Sequence, residues 1–352
     1  MTSVRFGQRE IGAGKPTFVV AELSANHKGR FDEMERLVHA AHAAGADAVK
    51  LQTYTADTLT IASDQPYFRV EGTLWDGRTL HDLYREAHTP WEWHAPLCKL
   101  ARELGLEIFS SPFDPSAVDF LEPLDMPAYK IASFEIIDLP LVRRIARTGK
   151  PVVMSTGAAS LAEIDEAVAA CRGEGNQQLV LLKCTSAYPA PPAEMNLRAI
   201  PALAARYGVP VGLSDHTLGV NVPIAAVALG ACLIEKHFTL SRSEPSPDSA
   251  FSLEPHELRA LVDGVRTAEQ ALGVATLGPT AAEASGAIYR RSLFVVANMR
   301  AGELFTSENL RSIRPGHGLP PKHLDEVLGR SATRDLVRGT PLAWEHVAKR
   351  RG

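Results

Sequence analysis

The chain is poor in cysteine, and its four thiols are not arranged in pairs. Cys98, Cys171, Cys184 and Cys232 show no CxxC spacing and fall in apolar-periodic segments, which argues for buried thiols rather than a disulfide or zinc frame. A long apolar run is also missing. No stretch reaches the length of a membrane span, and Met1 to Lys15 contains no apolar core of a signal peptide, so a cytoplasmic protein is expected. Basic charge is not in excess either. A formal net charge of −4 and a pI near 6.3 give no electrostatic reason to expect nucleic acid or an anionic bilayer as partner. A small anionic substrate would therefore have to be met by local positive charge. Internal repeats and low-complexity tracts are absent.

What is present is 352 residues of ordinary globular composition, 45% hydrophobic and 22% charged, enough for a large core and a second, smaller domain. Short apolar β-branched runs alternate with stretches of helical spacing. The runs occupy 17–23, 48–52, 107–111, 128–133, 151–157, 179–185, 209–214 and 232–237, and helical patterns follow at 31–44, 91–104, 115–121, 139–148, 161–172, 197–207, 222–229 and 255–272. Eight strand-then-helix units with continuously apolar strands predict a parallel (β/α)8 TIM barrel over 1–273, with a doubly wound open sheet as the alternative. The insertion at 54–94, which carries Trp75, Trp91 and Trp93, is too long for an ordinary connection and reads as a lid or interface element. A linker is expected at 274–291, and a separate small domain of short strands and turns at 292–352.

Polar residues favour the barrel because they collect at one end of the strands. Glu22, Lys50, Gln52, Ser111, Lys130, Ser133, Glu135, Ser155, Ser186 and Ser214 all stand at C-terminal strand edges, where a barrel places its active site. The central feature is a pair of histidines. His216, in GLSDHT, and His237, in EKHFTL, each end an apolar run; on neighbouring parallel strands their imidazoles would sit side by side and bind a divalent metal with positions left open. Ser214, Asp215 and Lys236 stand beside them in sequence. Lys50 and Lys130, with the hydroxyls of Ser111, Ser133, Ser155, Ser186 and Ser214, make a receptor for phosphate and carboxylate. Glu22, Glu135, Asp215, Glu235 and Asp248 could supply acid/base or hydroxyl-binding groups.

The blocks AELSANH (21–27), DAVKLQTY (47–54), FSSPFD (109–114), YKIASFE (129–135), MSTGA (154–158), CTSAYPAP (184–191), GLSDHT (212–217), EKHFTL (235–240) and PDSAFSLEP (247–255) resemble those of the sialic acid synthases. RPGHGLPP (314–321) resembles that family's C-terminal antifreeze-like (SAF) domain, so the likeness spans the whole chain. LYREAHTPWEWH (83–94) and SPDSAFSLEPHE (246–257) are most similar to its pseudaminic branch. The resemblance implies condensation of phosphoenolpyruvate with an open-chain acylamino sugar, assisted by a divalent metal (Mn2+, Mg2+ or Co2+). It implies that Lys50, Ser111, Lys130, Ser133, Ser155, Ser186 and Ser214 hold phosphoenolpyruvate and that His216 and His237 hold the metal. Gln52, Tyr188 and Asp248 would face the sugar, and Glu22 and Glu135 the reacting centre. It further implies a homodimer in which the antifreeze-like domain of one subunit caps the partner's barrel and inserts Arg314. Two positions depart from the pattern: Ser111 stands where many relatives have threonine, and Ser186 where some have asparagine. The base that activates water is left open among Glu22, Glu135 and a metal-activated water. A Schiff-base aldolase using Lys130 or Lys183 and a non-catalytic carbohydrate-binding barrel are the competing readings.

Overall fold

The computed structural model describes residues 3–349, and the chain divides into two compact units, Met1–Gly273 and Val274–Gly352.

The first unit is a closed barrel of eight strands, preceded by a hairpin of β1 (Val4–Phe6) and β2 (Arg9–Ile11). The barrel strands are β3 (Phe18–Glu22), β4 (Ala48–Thr53), β5 (Glu107–Pro112), β6 (Tyr129–Ile131), β7 (Val152–Ser155), β8 (Leu179–Cys184), β9 (Val211–Asp215) and β10 (Leu233–His237). Each pairs in parallel with the next, and β10 closes on β3 with His237 opposite Glu22. The open-sheet alternative is excluded by that closure. Helices follow the strands: α1 (Phe31–Ala44), α2 (Ala56–Leu59) and α3 (Leu80–Ala87) inside the long insertion, then α4 (His94–Glu103), α5 (Pro115–Leu121), α6 (Leu139–Ala146), α7 (Leu161–Gly173), α8 (Ala199–Tyr207), α9 (Asn221–Ala228) and α10 (Pro255–Leu272). Local chemistry sets their starts. Asp114 caps α5 by accepting from the Ser116 and Ala117 amides, with Pro115 at the first helical position, where its missing N–H costs nothing.

Strand alternation sorts every side chain to one of two cores. Val19, Ala21, Val49, Leu51, Ile108, Tyr129, Val152, Leu181, Leu213 and Ile234 face the helix layer. Phe18, Val20, Ala48, Phe109, Ala128, Val153, Val180, Leu182 and Leu233 fill the barrel, where Val4, Phe6 and Ile11 of the hairpin join them. The hairpin therefore plugs the barrel's N-terminal end. Phe6 lies 5.0 Å from the Phe18 ring and 4.9 Å from that of Phe109, edge-on to the latter. Its turn is fixed from β5: Gln8 N–H donates to Glu107 Oε1 at 2.7 Å, and Gly7, at φ +55°, packs so close to that carboxylate that a Cβ would lie 2.2 Å from it. The left-handed φ favours glycine there, and a side chain would have to push the carboxylate aside. Three-residue strands around glycines carry no period, so the sequence at 3–14 does not announce this hairpin.

Along the insertion, the expected helix at 91–104 opens as a 3-10 turn, Trp91–Trp93, before α4. Trp91 and Trp93 belong to the outer layer, against Phe120 and against His27 and Phe31.

The second unit contains the antiparallel pair β11 (Ser292–Val295) and β12 (Leu310–Ile313), over its own core of Leu293, Val295, Met299, Phe305, Leu310 and Leu336 among others. The segment expected as a linker carries a short helix, Ala281–Ala284, and a 3-10 turn, Ser285–Tyr289. No helix among the described residues is long and apolar enough to cross a membrane.

Candidate active site

The inward residues change from apolar to charged toward the C-terminal ends of the strands. Moving two residues along each strand from the plug layer reaches Glu22, Lys50, Ser111, Lys130, Ser155, Cys184, Ser214 and Glu235. Most of these line, or lie just beneath, a cavity of about 420 Å3 whose wall includes Lys50, Gln52, Lys130, Ser133, Glu135, Ser155, Tyr188, Ser214, Glu235, Asp248 and both histidines.

Glu235 organises the floor. Lys50 Nζ lies 2.9 Å from Glu235 Oε1 and 2.7 Å from Glu22 Oε2, while Lys130 Nζ and Ser214 Oγ donate to the same Glu235 oxygen, each at 3.1 Å. Burial disfavours the charge on Lys50 and lowers its pKa to about 7, against the pull of Glu235. Burial alone would raise the Glu235 pKa, but Lys130 and Lys50 outweigh it and hold the carboxyl well below its ordinary value. The result is an anion held between two basic groups, with Glu235 Oε2 buried and lacking a hydrogen-bond donor. An incoming dianion can take the same lysines and, by its charge, favour the protonated form of Lys50.

Hydroxyls complete an anion cradle. Ser155 Oγ and Ser111 Oγ are buried without a partner, a costly state unless a ligand supplies one; Ser155 lines the cavity, whereas Ser111 lies outside its wall. Ser186 also lies outside the wall but converges with Ser133 on Gly157. A Cβ at Gly157 would come within 2.3 Å of Ser186 Oγ and 2.7 Å of Ser133 Oγ. Glycine at this position leaves the space between the two hydroxyls open.

The two imidazoles lie side by side, ring centroids 5.3 Å apart. His216 Nδ1 is 3.0 Å from the Thr185 carbonyl, to which it donates, and this leaves Nε2 as the free nitrogen. His237 Nδ1 is 3.1 Å from Ser24 Oγ and 3.5 Å from Asp248 Oδ2, with Ser24 Oγ donating to that carboxylate at 2.7 Å. Burial lowers the His237 pKa, against Asp248, so its ring is neutral near pH 7. A carbonyl behind one ring and a carboxylate behind the other is the support that orients metal-binding histidines. The donor set thus fits a divalent cation with two protein ligands and several open positions, and no group of three or more ligating side chains occurs among the described residues.

Asp215 and Lys236 do not belong to this site. Each is one residue out of phase with the inward set, and they pair with one another at 2.6 Å in the outer layer. Their place beside the histidines in sequence becomes the opposite face in the strand. Lys183 is likewise out of phase: its Nζ donates to Cys184 O at 2.7 Å, away from the cavity wall. Glu135, half-buried after β6, has one unpartnered oxygen, and burial raises its pKa to about 7 against its own backbone N–H and Lys130. Gln52 Nε2 donates to Glu22 Oε1 at 3.4 Å. The Tyr188 ring lies 4.4 Å from that of His216. Arg314 stands exposed just after β12 in the second unit.

Three contributors have roles in the cavity that the sequence does not single out. Glu235 had been noted only as one carboxylate among several, although its position two residues before His237 marks it as inward. Ser24 carries the same signal, two residues after Glu22. Trp75 of the insertion reaches the cavity, its indole donating to Pro247 O at 2.9 Å; the sequence offered no means of separating it from Trp91 and Trp93.

Comparison with known proteins agrees with this geometry. Residues 37–276 match the NeuB family and residues 290–348 the SAF domain. The chain is 44% identical to pseudaminic acid synthase of Helicobacter pylori over 337 residues, covering 95% of this chain and 99% of that one. It is 46% identical to pseudaminic acid synthase of Campylobacter jejuni over 328 residues, 93% and 96% of the two chains. Among solved structures, the spore coat polysaccharide biosynthesis protein SpsE of Bacillus subtilis superposes with a TM-score of 0.68 at 34% identity, covering 99% of this chain and 100% of that one. The chain belongs to the NeuB family and carries that family's barrel followed by a SAF domain.

Proposed function

We propose that this chain condenses phosphoenolpyruvate with 2,4-diacetamido-2,4,6-trideoxy-L-altrose to give pseudaminic acid and inorganic phosphate. The observation that carries the reading is the Lys50–Glu235–Lys130 floor lying in one cavity with two supported imidazoles. Near-full-length identity to two pseudaminic acid synthases supports the choice of sugar.

The floor and the serine cradle bind the phosphate and carboxylate of phosphoenolpyruvate, Lys50 and Lys130 offsetting their charge. His216 and His237 would hold a divalent cation (Mn2+, Mg2+ or Co2+), which when bound supplies Lewis-acid polarisation of the sugar's aldehyde oxygen. C3 of phosphoenolpyruvate then bonds to C1 of the aldehyde using the C2–C3 π pair, and the aldehyde oxygen takes up a proton. Positive character develops at C2, where the carboxylates of Glu22 and Glu235 stabilise it. Water bonds to C2 and gives a proton to Glu135, whose pKa of about 7 suits it to accept one. The C2–O bond to phosphorus breaks, phosphate leaves with the electron pair, and loss of the C2 hydroxyl proton forms the keto group. Gln52, Tyr188 and Asp248 hold the sugar hydroxyls and amides. The reading extends to a cytoplasmic homodimer in which Arg314 of the SAF domain caps the partner's barrel.

A phosphate-release assay with phosphoenolpyruvate and a panel of the altrose-derived diacetamido sugar, its legionaminic counterpart and N-acetylmannosamine tests the reading. Release should depend on sugar and be fastest with the first; preference for either of the others would replace the proposed substrate.

A further inference from the structure

One sector of the cavity wall differs from the rest. Nine lining residues come from the insertion, between Tyr54 and Ala87, and none carries a charge. Their frame is a hairpin over 69–79: Val70 N–H donates to Arg78 O at 2.9 Å and Gly77 N–H to Val70 O at 3.0 Å, with Arg69 and Thr79 bridged antiparallel. Thr79 then caps α3 by accepting from the Asp82 amide. The hairpin is tied to the reaction centre, because the Trp75 indole that bonds Pro247 O also lies 5.8 Å from the Tyr188 ring, itself against His216. Val70, Trp75, Leu80 and Leu83 thereby give the cavity an apolar face, and the side-chain donor of Trp75 is already used.

The chemistry of that face discriminates between sugars. A hydroxyl turned toward Val70 or Leu80 leaves water without a partner and is disfavoured, whereas a methyl placed there is favourably removed from water. We propose that the 69–79 hairpin and α3 form the subsite that selects a deoxy, acetamido-substituted sugar over a hydroxylated one, with Val70 and Leu80 as specificity residues. This rests on the condensation reading above. The diacetamido trideoxy sugar carries a C6 methyl and a C4 acetamido group where N-acetylmannosamine carries hydroxyls. Val70 and Leu80 are each only half-buried, so polar replacements should leave the fold intact.

The test is steady-state kinetics of Leu80→Asn and Val70→Asn with both sugars, with thermal melting as the check on folding. Each substitution should raise KM for the deoxy sugar about tenfold, leave KM for phosphoenolpyruvate within about twofold, and narrow the preference over N-acetylmannosamine; Leu80→Met should retain the wild-type pattern. Folded, active variants with an unchanged sugar KM, or with both substrates weakened equally, would overturn the subsite alone. Phosphate release by the wild type with no sugar at all in the panel would instead overturn the condensation reading, and the subsite with it.

Discussion

At the N-terminal end of the barrel the inward side chains are Phe18, Phe109, Val180 and Leu233, stoppered by Phe6 and Ile11 of a hairpin. Toward the C-terminal ends of the barrel strands, the inward side chains include Lys50, Lys130, Glu22 and Glu235, locked in ion pairs. The first arrangement removes apolar surface from water and stabilises the fold, at about 1.5–3 kcal/mol for each large side chain buried. The second buries four charged groups in mutual contact, which adds little net stability. The difference teaches that one alternation, read at two heights, separates the residues that hold the barrel closed from the charged residues that line its cavity.

Substitutions at the two ends should therefore separate stability from turnover. Lys130→Met should lower kcat/KM for phosphoenolpyruvate by about a thousandfold, while Glu235 retains Lys50 as partner and the chain stays folded; substantial residual activity would detach the floor from the chemistry. At the other end, Phe6→Ala should cost about 3–5 kcal/mol in denaturant unfolding, with kcat/KM changed less than about twofold. A catalytic defect without loss of stability would contradict the division. Between these lies Asp248→Asn, which weakens the support behind His237 and should reduce divalent-metal affinity by about 10–100-fold in calorimetric titration, with phosphoenolpyruvate binding in the absence of metal unchanged.

The smallest effect on folding stability concerns Glu135. Because its folded pKa, about 7, lies above its ordinary value of 4.5, the folded protein binds a proton that the unfolded chain releases between those values. Its contribution is complete below about pH 4.5 and is lost as pH rises through 7. Glu135→Gln should therefore melt at increasingly higher temperature relative to wild type from pH 5 to pH 8, and the limb near pH 7 in the kcat/KM profile should disappear. A parallel pH dependence of the two melting curves would assign the buried oxygen of Glu135 no titration there.

Much of this was legible in the sequence, for physical reasons that also mark its limits. Strands buried on both faces read as unbroken apolar runs, so all eight barrel strands could be found, and His216 and His237 stood out as imidazoles at the ends of two such runs. Facing was harder to read. Glu235 and Lys236 are adjacent in the chain, yet one holds the reaction floor and the other pairs with Asp215 beneath the helices; only the two-residue spacing from His237 separates them. The plug hairpin and the Trp75 loop escaped because short strands and turns have no period, and their partners, Glu107 and Pro247, lie far along the chain. Ser24 joins His237 and Asp248 across more than two hundred residues, a relation that only the closure of β10 on β3 creates.

The most direct measurement is single-turnover reaction of phosphoenolpyruvate labelled with 18O in the oxygen bridging C2 and phosphorus, with the diacetamido trideoxy sugar as co-substrate. Attack of C3 on the aldehyde followed by water addition at C2 sends the label into inorganic phosphate, and only when the sugar is present. Label retained in the sugar acid, or phosphate released without sugar, would contradict the assignment of the charged end of the barrel as a condensation site.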